Sequence, residues 1–404
     1  MARKIVMYEI WAPSWPSINE MAKHLERIAP LGITHVWLSG ILKSPWDDHG
    51  YDVSGYRHID QRFASGSKKL NVLTEFSWFV QKAHCLGMKV ILDLVLNHTS
   101  INHWWFRQHP EYYCWSDANR PRWCNLFNEG TAWKYDRNRQ QYYLHTFHPH
   151  EADLNWFNGD GEINQDLVDE FQKIIMFWKK RSVDGFVLDF PQALNKDLAR
   201  ESMSFEELLF GDKDDRVINA LFPDKDNAPF LVMTCHDPTY GDLITHYVDQ
   251  TAVRYVMNTA VKKAATRDLL KAPHVFWHSE EAYGFMLNTE DHNSPRFTSA
   301  SGLPASEALW YLLNSSGRAV CLFQGQELGL RNPSVNELPF QKLIELDART
   351  AMRYAIGEDP DSLRRTSRAN ARVPLPLAKY EQQMQTPNSI YSYTRTLISR
   401  YFKL

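Results

Sequence analysis

The chain has 404 residues, of which 44% are hydrophobic and 23% charged, a composition typical of a globular protein and unlike that of a disordered or fibrous one. The formal net charge is −3 and Lys and Arg are scattered, which indicates neither a nucleic-acid-binding surface nor a polybasic membrane-binding segment. We therefore expect a small, neutral partner.

The N-terminal stretch "MARKIVMYEIWAPSWP" does not have the pattern of a targeting segment. Glu9, Trp11 and two prolines interrupt its apolar run, and nowhere does the chain contain the roughly 18 consecutive apolar residues that a membrane span needs. The five cysteines are odd in number and none forms a C-x-x-C pair, so neither a disulfide framework nor a thiolate zinc site is expected. These features favour a cytoplasmic protein.

Aromatic residues are abundant, with 14 Trp, 18 Tyr and 21 Phe making up 13% of the chain. Most should lie in the core, but aromatic faces also stack on the C–H faces of sugar rings. The aromatic content therefore favours a carbohydrate-binding groove.

Short apolar runs alternate with helical stretches along the chain. The eight candidate strands are "KIVMYEIW", "THVWLSG", "MKVILDLVLNH", "DGFVLDF", "PFLVMTC", "VRYVMN", "GFMLNTEDH" and "AVCLFQGQELG". Helical spacing of apolar residues is clearest in "SINEMAKHLERIAPLG", "NVLTEFSWFVQKAHCLG" and "NQDLVDEFQKIIMFWKKRSVDG". Eight such units predict an α/β fold, a (β/α)8 TIM barrel.

Polar residues recur at the carboxyl ends of the predicted strands. In a barrel these ends meet at one rim, where active sites lie, although each residue alone is compatible with a capping or turn role. They are Asp93, His98, Asp189, Thr234, His236, His292, Gln324 and Glu327.

About sixty residues after the third strand form no predicted barrel element and are rich in Trp, Tyr and His. Connections of that length are normally functional insertions. We therefore predict a barrel made of residues 1–98 and 161–404, interrupted by an inserted domain over residues 99–160.

Six ordered motifs carry a family resemblance. They are "DHGYDVSGY" (48–56), "DLVLNH" (93–98), "YYLHTFHPHEADLN" (142–155), "GFVLDF" (185–190), "LFQGQELG" (322–329) and "RANARVP" (368–374). Together they resemble the signature regions of the α-amylase family, glycoside hydrolase family 13, nearest its oligo-1,6-glucosidase and trehalose synthase branch. The resemblance implies that the insertion is the family's domain B. The last helix resembles the family's final barrel helix, so no C-terminal β-sandwich domain is expected.

The resemblance also implies a set of sugar-binding residues. Tyr51 would stack on the sugar in the innermost subsite, and Asp48 and Arg372 would pair and bind its outer hydroxyls. His98 and His292 would hydrogen-bond the same sugar. The expected ligand is a small-molecule sugar or glycoside.

The catalytic positions depart from the family pattern, which uses a nucleophilic carboxylate, a general acid and a retaining mechanism. Asp189 matches the nucleophile and Asp93 the structural carboxylate behind the sugar. Thr234 replaces the general acid, Asn293 the third carboxylate, and Val187 the arginine that orients the nucleophile. Loss of that cation should raise the pKa of Asp93 or Asp189.

Nearby residues offer other sources of acid catalysis. The stretch "DHNSPR" (291–296) resembles the family's "NHDxPR" motif and puts Asn293 at the position of the third carboxylate. Asp291 would serve instead if this alignment were shifted, although two positions along a strand end move a side chain by about 6 to 7 Å. His236 and Asp237 are further candidates for a relocated acid.

Three functions remain open. One is a sugar-binding protein of the α-amylase fold with altered or non-hydrolytic chemistry, which we favour. The others are a non-catalytic protein that binds carbohydrate or a partner, and an active α-glucosidase or isomerase with a relocated acid. The loop "APSWPSIN" lacks the oxygen ligands that bind calcium in relatives, so no metal and no cofactor are predicted.

Overall fold

The computed structural model describes residues 4–66, 71–123, 125–126, 131–238, 242–259, 262, 284–315 and 319–402. The described strands are β1 (Ile5–Trp11), β2 (His35–Ser39), β3 (Leu42–Lys43), β4 (Gly55–Ile59), β5 (Lys89–Leu94), β6 (His98–Ser100), β7 (Trp115–Ser116), β8 (Arg122–Trp123), β9 (Trp133–Asp136), β10 (Gln141–Leu144), β11 (Glu151–Asp153), β12 (Gly185–Leu188), β13 (Ser202–Met203), β14 (Phe230–Cys235), β15 (Tyr255–Asn258) and β16 (Ala319–Phe323).

The described α-helices lie between and after these strands. They are α1 (Ile18–Ile28), α2 (Val72–Cys85), α3 (Trp104–Gln108), α4 (Gln165–Lys179), α5 (Phe205–Leu209), α6 (Lys213–Leu221), α7 (Asp242–Gln250), α8 (Phe297–Ser301), α9 (Ala305–Ser315), α10 (Phe340–Glu345), α11 (Ala348–Ala355), α12 (Pro360–Thr366), α13 (Leu377–Gln385) and α14 (Ile390–Phe402). Among the described residues, no helix is both long enough and apolar enough to cross a membrane.

Seven parallel strands form one sheet in the order β15-β14-β12-β5-β2-β1-β16. The segment after residue 283 closes the gap between the two edge strands. It makes parallel bridges on both sides, from Phe285 to Val256 and from Leu287 to Val320. With that segment in the seventh position the sheet becomes a closed barrel, which confirms the predicted (β/α)8 fold.

The seventh strand is shorter than the sequence pattern predicts for residues 284–292. Its ladder is limited to a few bonds, such as Met286 N donating to Val256 O at 3.0 Å and Cys321 N donating to Leu287 O at 2.8 Å. From Thr289 onward the backbone bends and turns, because the polar side chains there hydrogen-bond to neighbouring backbone groups.

The barrel interior is filled by one buried residue from each of the eight strand positions. This layer consists of Met7, Trp37, Ile91, Val187, Val232, Met257, Met286 and Cys321. Apolar side chains of this size close the lower part of the barrel, as expected for a packed core rather than a pore.

The helices pack outside the barrel through one apolar face. In α1, Ser17 caps the N-terminus by accepting a hydrogen bond from Glu20 N at 3.3 Å, and Met21 and Leu25 are fully buried. The three helices predicted from apolar spacing are all present, as α1, α2 and α4.

The predicted insertion contains small sheets of its own. Strands β7, β10 and β9 form an antiparallel sheet, and β8 pairs with β13, which follows β12 in the chain. A separate apolar cluster lies under them and includes Trp123, Trp133 and Leu144. This arrangement places a compact wall beside the carboxyl ends of the barrel strands.

Candidate active site

The polar residues of the site lie one step above the apolar layer of the barrel. Because side chains alternate along a strand, the residue two positions after each apolar-layer residue returns to the same side, nearer the carboxyl end. On most strands that residue is polar, in contrast to the layer below. These residues are Glu9, Ser39, Asp93, Asp189, Thr234, Thr259 and Asn288.

A cavity of about 1590 Å³ opens at this end of the barrel. Most of the sequence-predicted site residues line it, namely Asp48, Tyr51, His98, Asp189, Thr234, His236, Asp291, His292 and Asn293. Asp93, Val187, Arg372 and Asp237 are buried and do not line it in the described structure. The residues predicted from the strand ends and those predicted from the motifs therefore line the same cavity.

Asp189 and Thr234 are in direct contact at the floor of the cavity. The Thr234 hydroxyl donates to Asp189 Oδ1 at 3.2 Å and accepts from Phe190 N at 2.9 Å. Burial raises the pKa of Asp189, and the nearby His292 and His98 partly offset that rise. The Thr234 hydroxyl hydrogen is therefore directed to Asp189 and helps to position its carboxylate.

Asp93 is held by neutral donors. Trp37 Nε1 (2.9 Å), Gly40 N (2.8 Å) and the Tyr51 hydroxyl (3.1 Å) donate to its carboxylate, while Val187 lies beside it in the register of β12 and β5. Burial raises the pKa of Asp93 to about 7, against the smaller opposing effect of the Gly40 and Trp37 donors and of His292. The pKa is thus raised for both Asp93 and Asp189, and burial is the largest cause in each.

The ion pair expected between Asp48 and Arg372 is formed by a different arginine. Arg368 Nη2 lies 2.7 Å from Asp48 Oδ1, and its Nε lies 2.7 Å from Asp347 Oδ1. Burial alone would raise the pKa of Asp48, but Arg368 and, less strongly, Arg372 outweigh it and lower that pKa. Arg368 belongs to the same quoted motif as Arg372, but residue spacing alone did not identify which guanidinium reaches Asp48.

Arg372 instead binds the turn that follows the seventh strand position of the barrel. Its Nε donates to the His292 carbonyl at 3.0 Å, and its Nη2 donates to Asn293 Oδ1 at 3.1 Å. Arg368 Nη1 donates to the same Asn293 oxygen, also at 3.1 Å. The amide at position 293 is therefore a shared neutral acceptor between two guanidiniums.

Two histidines, His98 and His292, line the cavity. The Nε2 atom of His292 is buried and has no hydrogen-bond partner in the described part of the chain, whereas His98 Nε2 lies 3.5 Å from Glu151 Oε1. The ring of His292 stacks on Trp11 at 4.5 Å and on Tyr51 at 5.0 Å, and its Nδ1 lies 2.5 Å from Glu9 Oε1. Burial lowers the pKa of His292 to about 4.

His98 differs from His292 in its charge environment. Burial alone would lower its pKa, but the neighbouring carboxylates of Glu151, Asp153 and Asp189 raise it to about 9. His98 is thus a cation paired with Glu151, whereas His292 is neutral.

Sequence reasoning missed several residues that hold the site. Glu9 was detectable as a charged residue at an inward position of an apolar strand. Lys196 is 6% exposed and donates to Asn97 Oδ1 at 2.5 Å and Asp153 Oδ2 at 2.8 Å. No spacing rule connects Lys196 to these partners, because the three residues lie far apart in the sequence.

The candidate relocated acids have other contacts. Asp291 lies 2.5 Å from Lys262 Nζ, and its pKa is lowered because Lys262 and His292 outweigh the effect of burial. His236 Nδ1 lies 3.0 Å from Thr259 Oγ1. Asp237 is fully buried and does not line the cavity. Asp291 is therefore an ionised group and a poor proton donor.

Asp189 differs from the other cavity-lining carboxylates of the described residues. Asp48, Asp291, Glu358 and Glu151 lie beside Arg368, Lys262, Arg353 and His98, respectively, whereas Asp189 makes its side-chain hydrogen bond with Thr234. Such a carboxylate is available as a nucleophile or as an acceptor for a sugar hydroxyl. Within the described ranges, no three His, Cys, Asp or Glu side chains are grouped as metal ligands.

Comparison with known families gives one domain match. Residues 15–221 match the model described as "Alpha amylase, catalytic domain". The chain is 27% identical to trehalose-6-phosphate hydrolase of Escherichia coli over 92% of this chain and 74% of that protein. It is 27% identical to glucan 1,6-alpha-glucosidase of Streptococcus dysgalactiae subsp. equisimilis over 93% and 75% of the two chains.

Solved structures show the same architecture. Trehalose-6-phosphate hydrolase of Bacillus licheniformis superposes with a TM-score of 0.83 at 24% identity, covering 100% of this chain and 84% of that one. Trehalulose synthase MutB superposes with a TM-score of 0.81 at 21% identity, covering 99% and 84%. At these identities the structural likeness shows the fold.

Proposed function

The chain belongs to the α-amylase family, glycoside hydrolase family 13, and on this basis we propose that it binds a glucosyl-like sugar in the innermost subsite while lacking the family's ordinary hydrolysis. The observation that carries the binding part is the buried imidazole Nε2 atom of His292, which lines the cavity and has no hydrogen-bond partner in the described structure. A buried polar atom without a partner is costly, and a sugar hydroxyl would satisfy it.

The proposed subsite is completed by Tyr51 and Asp189. The Tyr51 ring lies against His292, and its hydroxyl is fixed by Asp93, so the ring is held as a rigid platform for a sugar face. The ionised Asp48 and Asp291 line the same cavity and are acceptors for outer hydroxyls. The small-sugar substrates named for relatives are consistent with this ligand class.

The loss of hydrolysis is proposed from three positions. Thr234 directs its hydroxyl to Asp189, Asn293 is neutral between two arginines, and Val187 gives Asp93 no cation. Removing a general acid alone typically lowers the rate by ~10²- to 10⁴-fold. The favoured function is altered or non-hydrolytic carbohydrate chemistry. The proposed domain division, with residues 99–160 as domain B, makes the insertion the wall of this subsite.

Isothermal titration calorimetry with maltose, isomaltose, sucrose and trehalose tests the binding. We expect at least one sugar to bind the wild-type protein and Tyr51→Ala to lose that binding. Trp78→Ala is the matched control, because Trp78 is 54% exposed on α2 and lies outside the cavity lining. Failure of the wild-type protein to bind any of the four would contradict the proposal and favour a partner-binding protein.

A further inference from the structure

The outer wall of the cavity is built by the chain that follows β16. The face of α11 and the residues up to the end of α12 line it, and most of these side chains are charged. They are Arg349, Met352, Arg353, Ile356, Glu358, Arg364 and Arg365. The first four of these positions are spaced three, one and three residues apart, so they share one helical face.

This outer wall, called the arginine wall below, carries more positive than negative charge. It has four arginines and one carboxylate among its cavity-lining residues, and that carboxylate, Glu358, is bound by Arg353 Nε at 2.7 Å. Arg368, deeper in the cavity, is already balanced by Asp48 and Asp347. The outer wall therefore attracts an anion rather than a neutral sugar.

The residues at the floor of the cavity also favour an anionic leaving group. When the bond between C1 and a sugar oxygen breaks, that oxygen needs a proton, because an alkoxide is a strong base and a poor leaving group. At the floor, Thr234 directs its hydroxyl to Asp189. Phosphate is stable as an anion, with a second pKa of about 6, so it leaves without a proton when cations hold its oxygens.

We propose that the substrate is a glycosyl phosphate, whose phosphate is the leaving group and is bound by the arginine wall. This inference rests on the proposed sugar subsite and names its substrate class. The Asp189 carboxylate attacks C1 while the C1–O bond breaks and its electron pair leaves on the phosphate oxygen, with no proton transferred. Water or an acceptor hydroxyl then attacks C1, the carboxylate is released, and the proton passes to solvent.

The test measures phosphate release from α-D-glucose 1-phosphate, with α-D-glucosyl fluoride and maltose as comparison substrates. Fluoride also leaves without a proton but needs no arginine wall. We expect turnover of both activated substrates, no turnover of maltose, and loss of both activities in Asp189→Asn.

Substitution of an arginine distinguishes phosphate binding by the arginine wall from the reaction at Asp189. In Arg365→Gln, whose side chain is exposed on α12, the KM for glucose 1-phosphate should rise by about 10- to 100-fold. The ratio of kcat/KM for glucose 1-phosphate to that for the fluoride should fall accordingly. Arg400→Gln, exposed on α14, is the matched control and should behave as wild type.

The outcomes are distinguishable. Turnover of the fluoride without phosphate release, or binding of sugars without either turnover, would overturn the phosphate inference and leave the sugar subsite standing. Phosphate release that persists in Asp189→Asn would also overturn it. If no glucosyl compound binds or reacts, the proposed function itself fails.

Discussion

The variant Asp93→Asn should change how the stability of the protein depends on pH. Asp93 is 6% exposed, and burial raises its pKa to about 7, whereas an unfolded Asp titrates near about 3.9. Between about pH 4 and pH 7 the folded protein therefore keeps a proton that the unfolded chain has released. Stability from this group falls as pH rises through that window and stays low above it.

The magnitude follows from the two pKa values. One pKa unit corresponds to about 1.4 kcal/mol, so ionisation of Asp93 costs the folded state on the order of 4 kcal/mol at pH 8 relative to pH 4. Asn at this position cannot ionise and does not have this cost. It carries a constant penalty instead, because its amide nitrogen faces either the Gly40 N–H or the donors Trp37 and Tyr51.

Urea denaturation of both proteins from pH 4 to pH 8 measures the effect. The free energy of unfolding of Asp93→Asn, minus that of wild type, should increase by up to ~4 kcal/mol across this range. Val187→Ala is the control, because Val187 neighbours Asp93 on β12 and has no titratable group; its stability difference from wild type should vary far less with pH. A difference for Asp93→Asn that stays constant from pH 4 to pH 8 would refute the reasoning.

Three further substitutions probe other parts of the site, each by chemical denaturation. Lys196→Met leaves the fully buried Asp153 without its ammonium partner and should cost about 3 kcal/mol; Lys173→Met, at an exposed pair, should change little, and equal effects would contradict the assignment. Gly50→Ala forces a Cβ to 2.6 Å from Gly40 O at φ +108°, whereas Gly66→Ala meets nothing within 4 Å at φ +83°, so the first should lose clearly more stability than the second. Asn293→Asp places a carboxylate between Arg368 and Arg372 and should stabilise by ~1 to 2 kcal/mol above pH 5. That gain should disappear as pH falls through the lowered pKa of the new carboxyl, and a gain that persists at pH 2 would contradict this origin.

The barrel could be predicted from the sequence because its signals are local. Apolar runs, helical spacing and the positions of strand ends all depend on neighbouring residues, and they located the rim where the site lies. The seventh strand was predicted too long because Asp291 accepts hydrogen bonds from Asn293 N and the Ser294 hydroxyl. Those turn contacts compete with strand pairing from Thr289 onward.

The contacts within the site could be predicted only in part. Motifs brought Asp189, Asp48 and His292 to one cavity, but the partner of Asp48 proved to be Arg368 rather than Arg372. Arg368 and Arg372 lie four residues apart in the same motif, and the motif alone does not tell which of them contacts Asp48. That contact depends on how the chain after β16 folds back over the barrel. The arginine wall follows from the same fold-back, and its residues carry no motif.

Hydrolysis of maltose, isomaltose, sucrose and trehalose by wild-type protein, measured beside Asp189→Asn, tests the central claim most directly. If the general acid position is inactive, glucose release by the two proteins should be equally low, at the level of the uncatalysed background. Release by the wild-type protein at rates of about 1 to 10³ per second, as typical enzymes show, with loss in Asp189→Asn, would contradict the claim and identify an ordinary retaining glucosidase.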